Sequence, residues 1–330
     1  MRITILFGGT NKERLVSVAS AQALCEALPE ADLWFWDVDD SVHETQAKTL
    51  LAHERPFERD FAPGGHRVGA SIDKALDQAR IDSRLLVLAL HGGRAENGEL
   101  QAMCEYRGIP FTGSGSGSSH LAFDKIVAKC FAAIAGLTPP EGIALADIDT
   151  AFAEYGRLVA KPARDGSSYG LIFVNAKQDL VAVRSAASHE EYVIEPLIPG
   201  VEATCAVLER SDGSIFALPP IEIVPGEGQF DYAAKYLLKS TQEICPGRFS
   251  PEVAAVIKDH SVRVHRVLSC SGYSRSDFIV SAKGLVYLET NTLPGLTKTS
   301  LYPKALKAEG IEFADFLKDQ IVLAEQRVRK

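Results

Sequence analysis

The sequence predicts an α/β protein whose N-terminal part is a doubly wound unit built on a parallel sheet. Over the first 112 residues, short apolar runs alternate with helical patterns, an order typical of parallel sheets with helices on both faces. The run at 85–90 (LLVLAL) is apolar throughout, as expected for a strand buried on both faces.

The elements of this unit can be assigned in order. They are a strand at 3–7, a helix at 14–28, a strand at 33–38, a helix at 73–80 and a strand at 85–90. The first strand ends at Gly8-Gly9 and the last at His91-Gly92-Gly93. Residues 39–70 have weak periodicity, which predicts loops or an irregular insertion.

A low-complexity stretch at 113–119 (GSGSGSS) marks a domain boundary. We therefore predict three domains: 1–112, a central domain at 113–195 and a C-terminal domain at 196–330. A helix is expected over 121–135, and 224–248 is expected to be irregular. The later strand candidates are 158–161, 171–174, 192–195, 204–209, 215–219, 277–280 and 286–291, the last two forming a hairpin around 281–284.

Composition argues against several classes of protein. The 330 residues carry a formal net charge of -8, so the basic footprint of a general nucleic-acid or membrane-surface binder is missing. None of the six cysteines forms a CxxC pair, which favours reduced thiols in a cytoplasmic protein. The N-terminus lacks the layout of a signal peptide, and no apolar run approaches the ~18 residues of a membrane span.

The hairpin carries a candidate metal site. Glu289 and Asn291 are two apart on a strand and so share a face, and Asp277 is expected roughly opposite Glu289. Hard oxygen ligands with an incomplete shell suit Mg²⁺, which keeps waters and takes phosphate oxygens. A solvated polar face of the hairpin explains the pattern equally well, and the geometry alone leaves both readings open.

The polar glycine loop at 164–170 is a candidate anion site. Glycines and serines let backbone N–H groups approach an anion closely, and Lys161 can add charge. An ordinary hairpin loop is the alternative. A GxxxxGK[ST] motif is missing, so a P-loop NTPase is unfavoured, and Gly8-Gly9 lacks the GxGxxG spacing of a dinucleotide-binding oxidoreductase.

Three other loops stand where a ligand is expected. Those at 8–10 and 91–101 follow buried strands, and ligands bind at the carboxyl ends of strands in parallel sheets. The third, 291–300, follows the candidate metal strand. Glycine turns and structural side chains are the alternative for all three.

Taken together, these segments resemble the D-alanine–D-alanine ligases of the ATP-grasp superfamily, nearly end to end except at about 39–75. The motifs are FGGTNKERLVS at 7–17, HGGRAENGELQ at 91–101, FTGSG at 111–115, KPARDGSSYG at 161–170, FDYAAKY at 230–236, RSDF at 275–278 and ETNTLPGLTKTS at 289–300. The resemblance implies the three-domain ATP-grasp architecture, with ATP between the central and C-terminal domains, and a homodimer.

The resemblance also implies roles for individual residues. For the nucleotide, it implies Mg²⁺ (or Mn²⁺) at Asp277, Glu289 and Asn291, phosphates at Lys125, Lys161 and Lys235, and adenine and ribose at Glu195, Ile198 and Glu202. For the amino acids, it implies the first substrate near His91 and Glu96, the second at Ser300, an oxyanion held by Arg275 and the Gly295 N–H, and closure of the site by Ser167 and Tyr236.

The implied reaction activates one amino acid as an acyl phosphate, which the amine of a second then attacks. Phosphorylation turns a poor electrophile into one with a good leaving group, while Mg²⁺ and lysines offset charge on the transferring phosphoryl group. Closure of the loops must exclude water, or the intermediate would hydrolyse.

One position departs from the expected pattern. The resemblance implies an acidic residue two positions after the glutamate of the first motif, where it would bind the ammonium of the first amino acid, and here that position is Leu15. Glu13 is expected to replace it only if the backbone is extended there. Two hypotheses therefore stay open: a D-alanine–D-alanine ligase, and an amino-acid ligase of secondary metabolism with another first substrate. A nucleotide-binding protein without ligase activity is less favoured, because the full set around Asp277 suits catalysis.

Overall fold

The computed structural model describes residues 1–164, 166, 170–225 and 241–329, without the side chain of residue 329. Three sheets form along these ranges. The six cysteines are free thiols. Among the helices of the described residues, none has an apolar stretch long enough to span a bilayer. The domain boundaries after residues 112 and 195 remain a prediction.

The first sheet has the strand order β4-β3-β2-β1-β5. Its strands are β1 (Arg2–Gly8), β2 (Asp32–Trp36), β3 (Val42–Thr45), β4 (Arg67–Gly69) and β5 (Arg84–Ala89). The helices of this part are α1 (Arg14–Ala27), α2 (Ala47–Leu51), α3 (Ile72–Ile81), α4 (Gly93–Glu96) and α5 (Glu99–Arg107).

The sheet is parallel at its centre and antiparallel at one edge. Strand β1 pairs in parallel with β2 and β5, and every residue of β5 is buried, which confirms the expectation of a doubly covered strand. The prediction that 39–70 is irregular was wrong in part. Strands β3 and β4 extend the sheet antiparallel beyond β2, and these elements are too short to show a period in the sequence.

The second sheet is small, with the order β7-β6-β8. It comprises β6 (Leu158–Pro162), β7 (Ile172–Val174) and β8 (Tyr192–Pro196). The helices α8 (Ile148–Tyr155) and α9 (Leu180–Ala187) supply Ile148 and Val183 to a core with Leu158, Ala160 and Ile194. One face of the sheet is therefore covered, and the alternate side chains of β6 and β8 lie on the opposite face.

The helix expected over 121–135 is two helices, α6 (Ser116–Phe123) and α7 (Lys125–Ile134). Asp124 separates them because its carboxylate accepts hydrogen bonds from the N–H groups of Ile126 and Val127 and so caps α7. This cap fixes where α7 begins, and Lys125 and Lys129 then lie one turn apart on the same face of the helix.

The third sheet has the order β12-β11-β9-β13-β14, with β10 paired to β9. Its strands are β9 (Val201–Glu209), β10 (Ile215–Ala217), β11 (Ile221–Val224), β12 (Gln242–Ile244), β13 (Tyr273–Ser281) and β14 (Gly284–Asn291). The later helices are α10 (Pro251–Val267), α11 (Leu301–Ala308) and α12 (Phe313–Arg329).

Alternation along these strands gives the third sheet two different faces. Cys205 and Phe278 pack with α7 and α10 on one face. Leu208 and Tyr273 lie on the other and belong to the same core as the first sheet and the last two helices. On this second face, Arg275, Asp277 and Ile279 follow Tyr273 at alternate positions, so the face continues from the core into the site.

Candidate active site

A cavity of about 740 Å³ lies between the second and third sheets, within the size range of ligand pockets. We call it the inter-sheet cavity. Val159, Phe173 and Leu197 give it an apolar wall, and Glu202 and Ile279 lie on the side of the third sheet. Its lining includes each described residue that was predicted for the phosphates, adenine or ribose: Lys125, Lys161, Glu195, Ile198 and Glu202.

A smaller cavity of about 120 Å³ lies between the first and third sheets, and we call it the interface cavity. Asp277 and Glu289 line both cavities, so the two adjoin at these carboxylates. Its lining includes the predicted substrate and oxyanion residues Glu13, His91, Glu96, Arg275, Gly295 and Ser300, together with Asn291.

The hairpin brings Asp277 opposite Glu289 and Arg275 opposite Asn291. Near the turn, Ser281 pairs with Gly284, and continuing this register would place Asp277 opposite Leu288. A β-bulge between Asp277 and Phe278 shifts the register by one residue. Because a one-residue slip exchanges the faces of a strand, the bulge is what brings the second carboxylate beside the first.

Asp277 is held from three sides. Arg275 donates from Nε at 3.1 Å and Nη2 at 3.0 Å, and Thr204 Oγ1 donates at 2.5 Å. Asn291 Nδ2 lies 3.4 Å from Asp277 Oδ2, and rotating its amide would present the oxygen instead. The described residues contain no group of three or more His, Cys, Asp or Glu side chains able to hold a metal. Two carboxylates and one amide fit Mg²⁺ only when phosphate oxygens and water complete its shell.

Lysines meet the carboxylates at the edge of the inter-sheet cavity. Lys125 Nζ lies 3.5 Å from Glu289 Oε2, and Lys161 Nζ lies 3.1 Å from Glu195 Oε2. Lys129 contacts the other oxygen of Glu195. Sequence reasoning missed Lys129, although its spacing of four from Lys125 in a capped helix could have indicated it.

The loop after β14 is held by neutral hydrogen bonds from the first sheet. His91 Nδ1 lies 3.0 Å from the carbonyl oxygen of Leu293, which only accepts, so Nδ1 carries the proton. His91 Nε2 then accepts from Ser20 Oγ at 2.9 Å, and Ser20 Oγ accepts from the Leu296 N–H at 3.4 Å. Burial lowers the pKa of His91 to about 4 and keeps the ring neutral. Sequence reasoning also missed Ser20, which lies three residues after Ser17 in the first motif.

Glu96 fixes the same loop at another point. It accepts from the N–H of Gly92 at 3.0 Å and of Leu293 at 3.4 Å, and burial raises the pKa of its carboxyl group. A Cβ added to Gly295 would lie 2.8 Å from Ser300 Oγ, which explains the glycine there. The predicted oxyanion donor and the predicted carboxylate site are thus adjacent.

Glu13, and not Leu15, is the side chain that lines the interface cavity. Glu13 is buried, just before α1, while Leu15 is half-buried in the first turn of that helix. The backbone at Glu13 is not extended, with φ -81° and ψ 0°, and the side chain lines the cavity from this conformation. A Cβ added to Gly166 would lie 2.7 Å from Glu13 Oε1, so the backbone of Gly166 lies close to this carboxylate.

Two family models cover most of the chain. The model of the D-ala D-ala ligase N-terminus matches residues 2–114, and that of the D-ala D-ala ligase C-terminus matches residues 151–322. The chain belongs to the D-alanine–D-alanine ligase family. The prediction of an ATP-dependent ligase is thereby confirmed, and the hypothesis of a secondary-metabolite ligase is not favoured.

Individual relatives agree along the whole length. The D-alanine–D-alanine ligase of Halalkalibacterium halodurans is 34% identical, over 98% of this chain and 99% of its own. The VanG D-Ala:D-Ser ligase from Enterococcus faecalis is 30% identical with a TM-score of 0.78, over 98% of this chain and 99% of that one. The D-alanine–D-alanine ligase from Bacillus anthracis, complexed with ATP, is 26% identical with a TM-score of 0.76, over 100% and 98%. These neighbours confirm the ATP-grasp fold.

Three residues predicted for the site lie outside the described residues of this ligase. They are Ser167, Lys235 and Tyr236. Their roles, and those assigned above to the individual residues of both cavities, remain predictions.

Proposed function

We propose that the protein joins two molecules of D-alanine, with hydrolysis of ATP to ADP and phosphate. The observation that carries the proposal is the meeting of a nucleotide-sized cavity and an amino-acid-sized cavity at Asp277 and Glu289. Transfer of a phosphoryl group from ATP to a carboxylate requires these two ligands to touch, and this junction is where their reacting ends would meet.

The nucleotide would occupy the inter-sheet cavity. Its base would contact the apolar wall near Ile198 and Glu195, and its phosphates would extend toward Lys125 and Lys161. Asp277, Glu289 and Asn291 would hold Mg²⁺, which when bound offsets the negative charge of the phosphates. The ATP complex of the Bacillus anthracis relative supports the nucleotide.

The two amino acids would occupy the interface cavity. Glu13 would accept hydrogen bonds from the ammonium group of the first amino acid. The carboxylate oxygen of this amino acid then attacks the terminal phosphorus of ATP, and ADP leaves. The amine of the second, with its carboxylate at Ser300, then attacks the acyl phosphate. Phosphate leaves and the nitrogen gives up a proton. Arg275 and the Gly295 N–H would stabilise the oxyanion formed between these steps.

A volume of about 120 Å³ favours small amino acids. The VanG relative is named for D-serine as its second amino acid, so D-serine is the competitor that the enzyme must be tested against. We also propose a cytoplasmic homodimer in peptidoglycan synthesis. The free thiols fit a reducing compartment, and the family resemblance supports the dimer.

The test is ADP release by the full chain with ATP, Mg²⁺ and single or paired amino acids. We expect release with D-alanine alone, accompanied by D-alanyl-D-alanine in the product mixture. L-alanine should give no dipeptide, and D-serine should form a mixed product at a lower kcat/KM than D-alanine. ADP release without any dipeptide, or a preference for another pair, would overturn the proposal.

A further inference from the structure

Glu195 lies between two lysines at the wall of the inter-sheet cavity. It is 1% exposed, and its strand pairs with β6 so that it lies opposite Val159. Lys161, two residues further along β6, shares that face and reaches Oε2 at 3.1 Å. Lys129 reaches Oε1 from α7. Lys161 lines the cavity, whereas Lys129 is not among its described lining residues.

Lys161 has two competing partners in the proposed function. It is paired with Glu195 here, but the function assigns it to the phosphates of ATP. A lysine that turns toward the phosphates weakens its pair with Glu195, and removing one partner of a buried ion pair is strongly destabilising. A buried carboxylate without a cationic donor takes up a proton, and a protonated carboxyl group donates as well as accepts.

Lys129 is placed to prevent this loss. It lies one helical turn after Lys125, which pairs with Glu289 at the phosphate end, so each lysine of α7 holds a different carboxylate. Burial and the neighbouring Lys161 lower the pKa of Lys129, and the charge of Glu289 opposes that shift. Its nitrogen contacts Oε1 of Glu195 and carries N–H groups that can be directed at the carboxylate in either protonation state.

We propose that Lys129 is a positioning residue: it keeps Glu195 ionised and fixed when Lys161 turns to the phosphates, and so makes the cavity selective for a base with an amino group. The inference rests on the proposed function, which puts the base at Glu195. An ionised carboxylate only accepts hydrogen bonds. It therefore pairs with the 6-amino group of adenine and repels the 6-oxo group of guanine.

The test is equilibrium binding of ATP and GTP to the full chain with Mg²⁺, in the wild type and in Lys129→Met. Methionine keeps an apolar stem and removes the donor. We expect ATP to bind about 10-fold more weakly or worse, the change produced by losing one hydrogen bond to a charged group. GTP affinity should change little, so the preference for ATP falls by the same factor. Lys129→Arg should keep the preference for ATP over GTP, because arginine supplies donors at the same position. Lys177→Met changes a lysine on the exposed surface and should bind both nucleotides like the wild type.

Turnover separates positioning from a general structural role. In Lys129→Met, the KM for ATP should rise while kcat at saturating ATP and the KM for D-alanine stay within about 2-fold. In a Glu195→Gln background the substitution should add little, because both changes remove the same interaction. Equal weakening of ATP and GTP, or effects that add fully to those of Glu195→Gln, would overturn the inference.

The proposed function and the role of Lys129 can fail separately, because nucleotide binding is measured without forming a dipeptide. A wild-type protein that prefers ATP but forms no dipeptide would refute the proposed function and leave the role of Lys129 intact. If Lys129→Met does not fold, as judged by its melting curve, Lys129→Ala supplies the same comparison, because alanine also lacks a donor. An unchanged ATP preference in that variant would overturn the inference.

Discussion

The two cavities are built with different chemistry. The described ionised side chains of the inter-sheet cavity pair with one another, as in Lys125 with Glu289 and Lys161 with Glu195. The loop at the interface cavity is held instead by hydrogen bonds between its backbone and the side chains of His91, Ser20 and Glu96. A charged ligand that enters the inter-sheet cavity must replace existing ion pairs with its own. At the interface cavity, the hydrogen bonds that hold the loop are already formed before a ligand binds.

This difference fits the work proposed for each cavity. Exchangeable ion pairs keep buried charge compensated before the nucleotide arrives and release cations to its phosphates afterwards. A loop that carries the oxyanion donor gains most from being fixed in advance, because donors that need no reorganisation contribute most to catalysis. Substitutions in the first cavity should therefore act mainly through ligand charge, and those in the second through geometry.

The largest effect is expected where the two cavities meet. Asp277→Ala combined with Glu289→Ala removes both carboxylates that can hold the metal, and ADP release with D-alanine should fall by about 10³-fold or more. The same pair of changes at Asp149 and Glu154, both exposed on α8, should leave the rate near that of the wild type. Near-normal turnover in the Asp277→Ala, Glu289→Ala variant would show that these two carboxylates do not hold the metal.

A smaller effect is expected at the one carboxylate assigned to a substrate ammonium. Glu13→Gln keeps the shape and removes the charge, so the KM for the first D-alanine should rise by about 10- to 100-fold. The KM for ATP should not change, because Glu13 lines the interface cavity and is not among the lining residues of the inter-sheet cavity. Glu30→Gln, on the exposed surface, is the matched control. A variant with its main defect in ATP binding would contradict the separation of the two cavities.

A substitution at Ser20 is expected to disturb the position of the loop that carries Gly295 without changing any charge. Ser20→Ala removes the donor to His91 Nε2 and the acceptor of the Leu296 N–H, and loosens the loop that carries Gly295. We expect kcat to fall about 10-fold with little change in the KM for ATP. Steady-state rates against each substrate separate the two effects, with the exposed Ser185→Ala as control. An altered KM for ATP and a normal kcat would place the role of Ser20 elsewhere.

The sequence predicted those parts of the site that depend on short spacing. Glu289 and Asn291 share a strand face by alternation, and the glycine loops follow strands whose apolar runs are easily recognised. The bulge at Asp277 could not be predicted, because only the pairing of two strands defines it. The pairing of Lys129 with Glu195 and of Ser20 with His91 could not be predicted either, since the partners lie more than 60 residues apart in the chain.

The smallest effect is expected at Leu15, where the family resemblance implies an acidic residue but Glu13 lines the cavity instead. Leu15→Glu adds a carboxylate to the first turn of α1, which has no acidic residue, and this position stabilises a helix by about 0.3–1 kcal/mol. The cavity side of this segment is already occupied by Glu13. D-alanine turnover should therefore stay within about 2-fold of the wild type while the melting temperature rises slightly. A several-fold gain in D-alanine turnover would mean that the ammonium partner belongs at position 15, and that the first subsite of this chain has diverged.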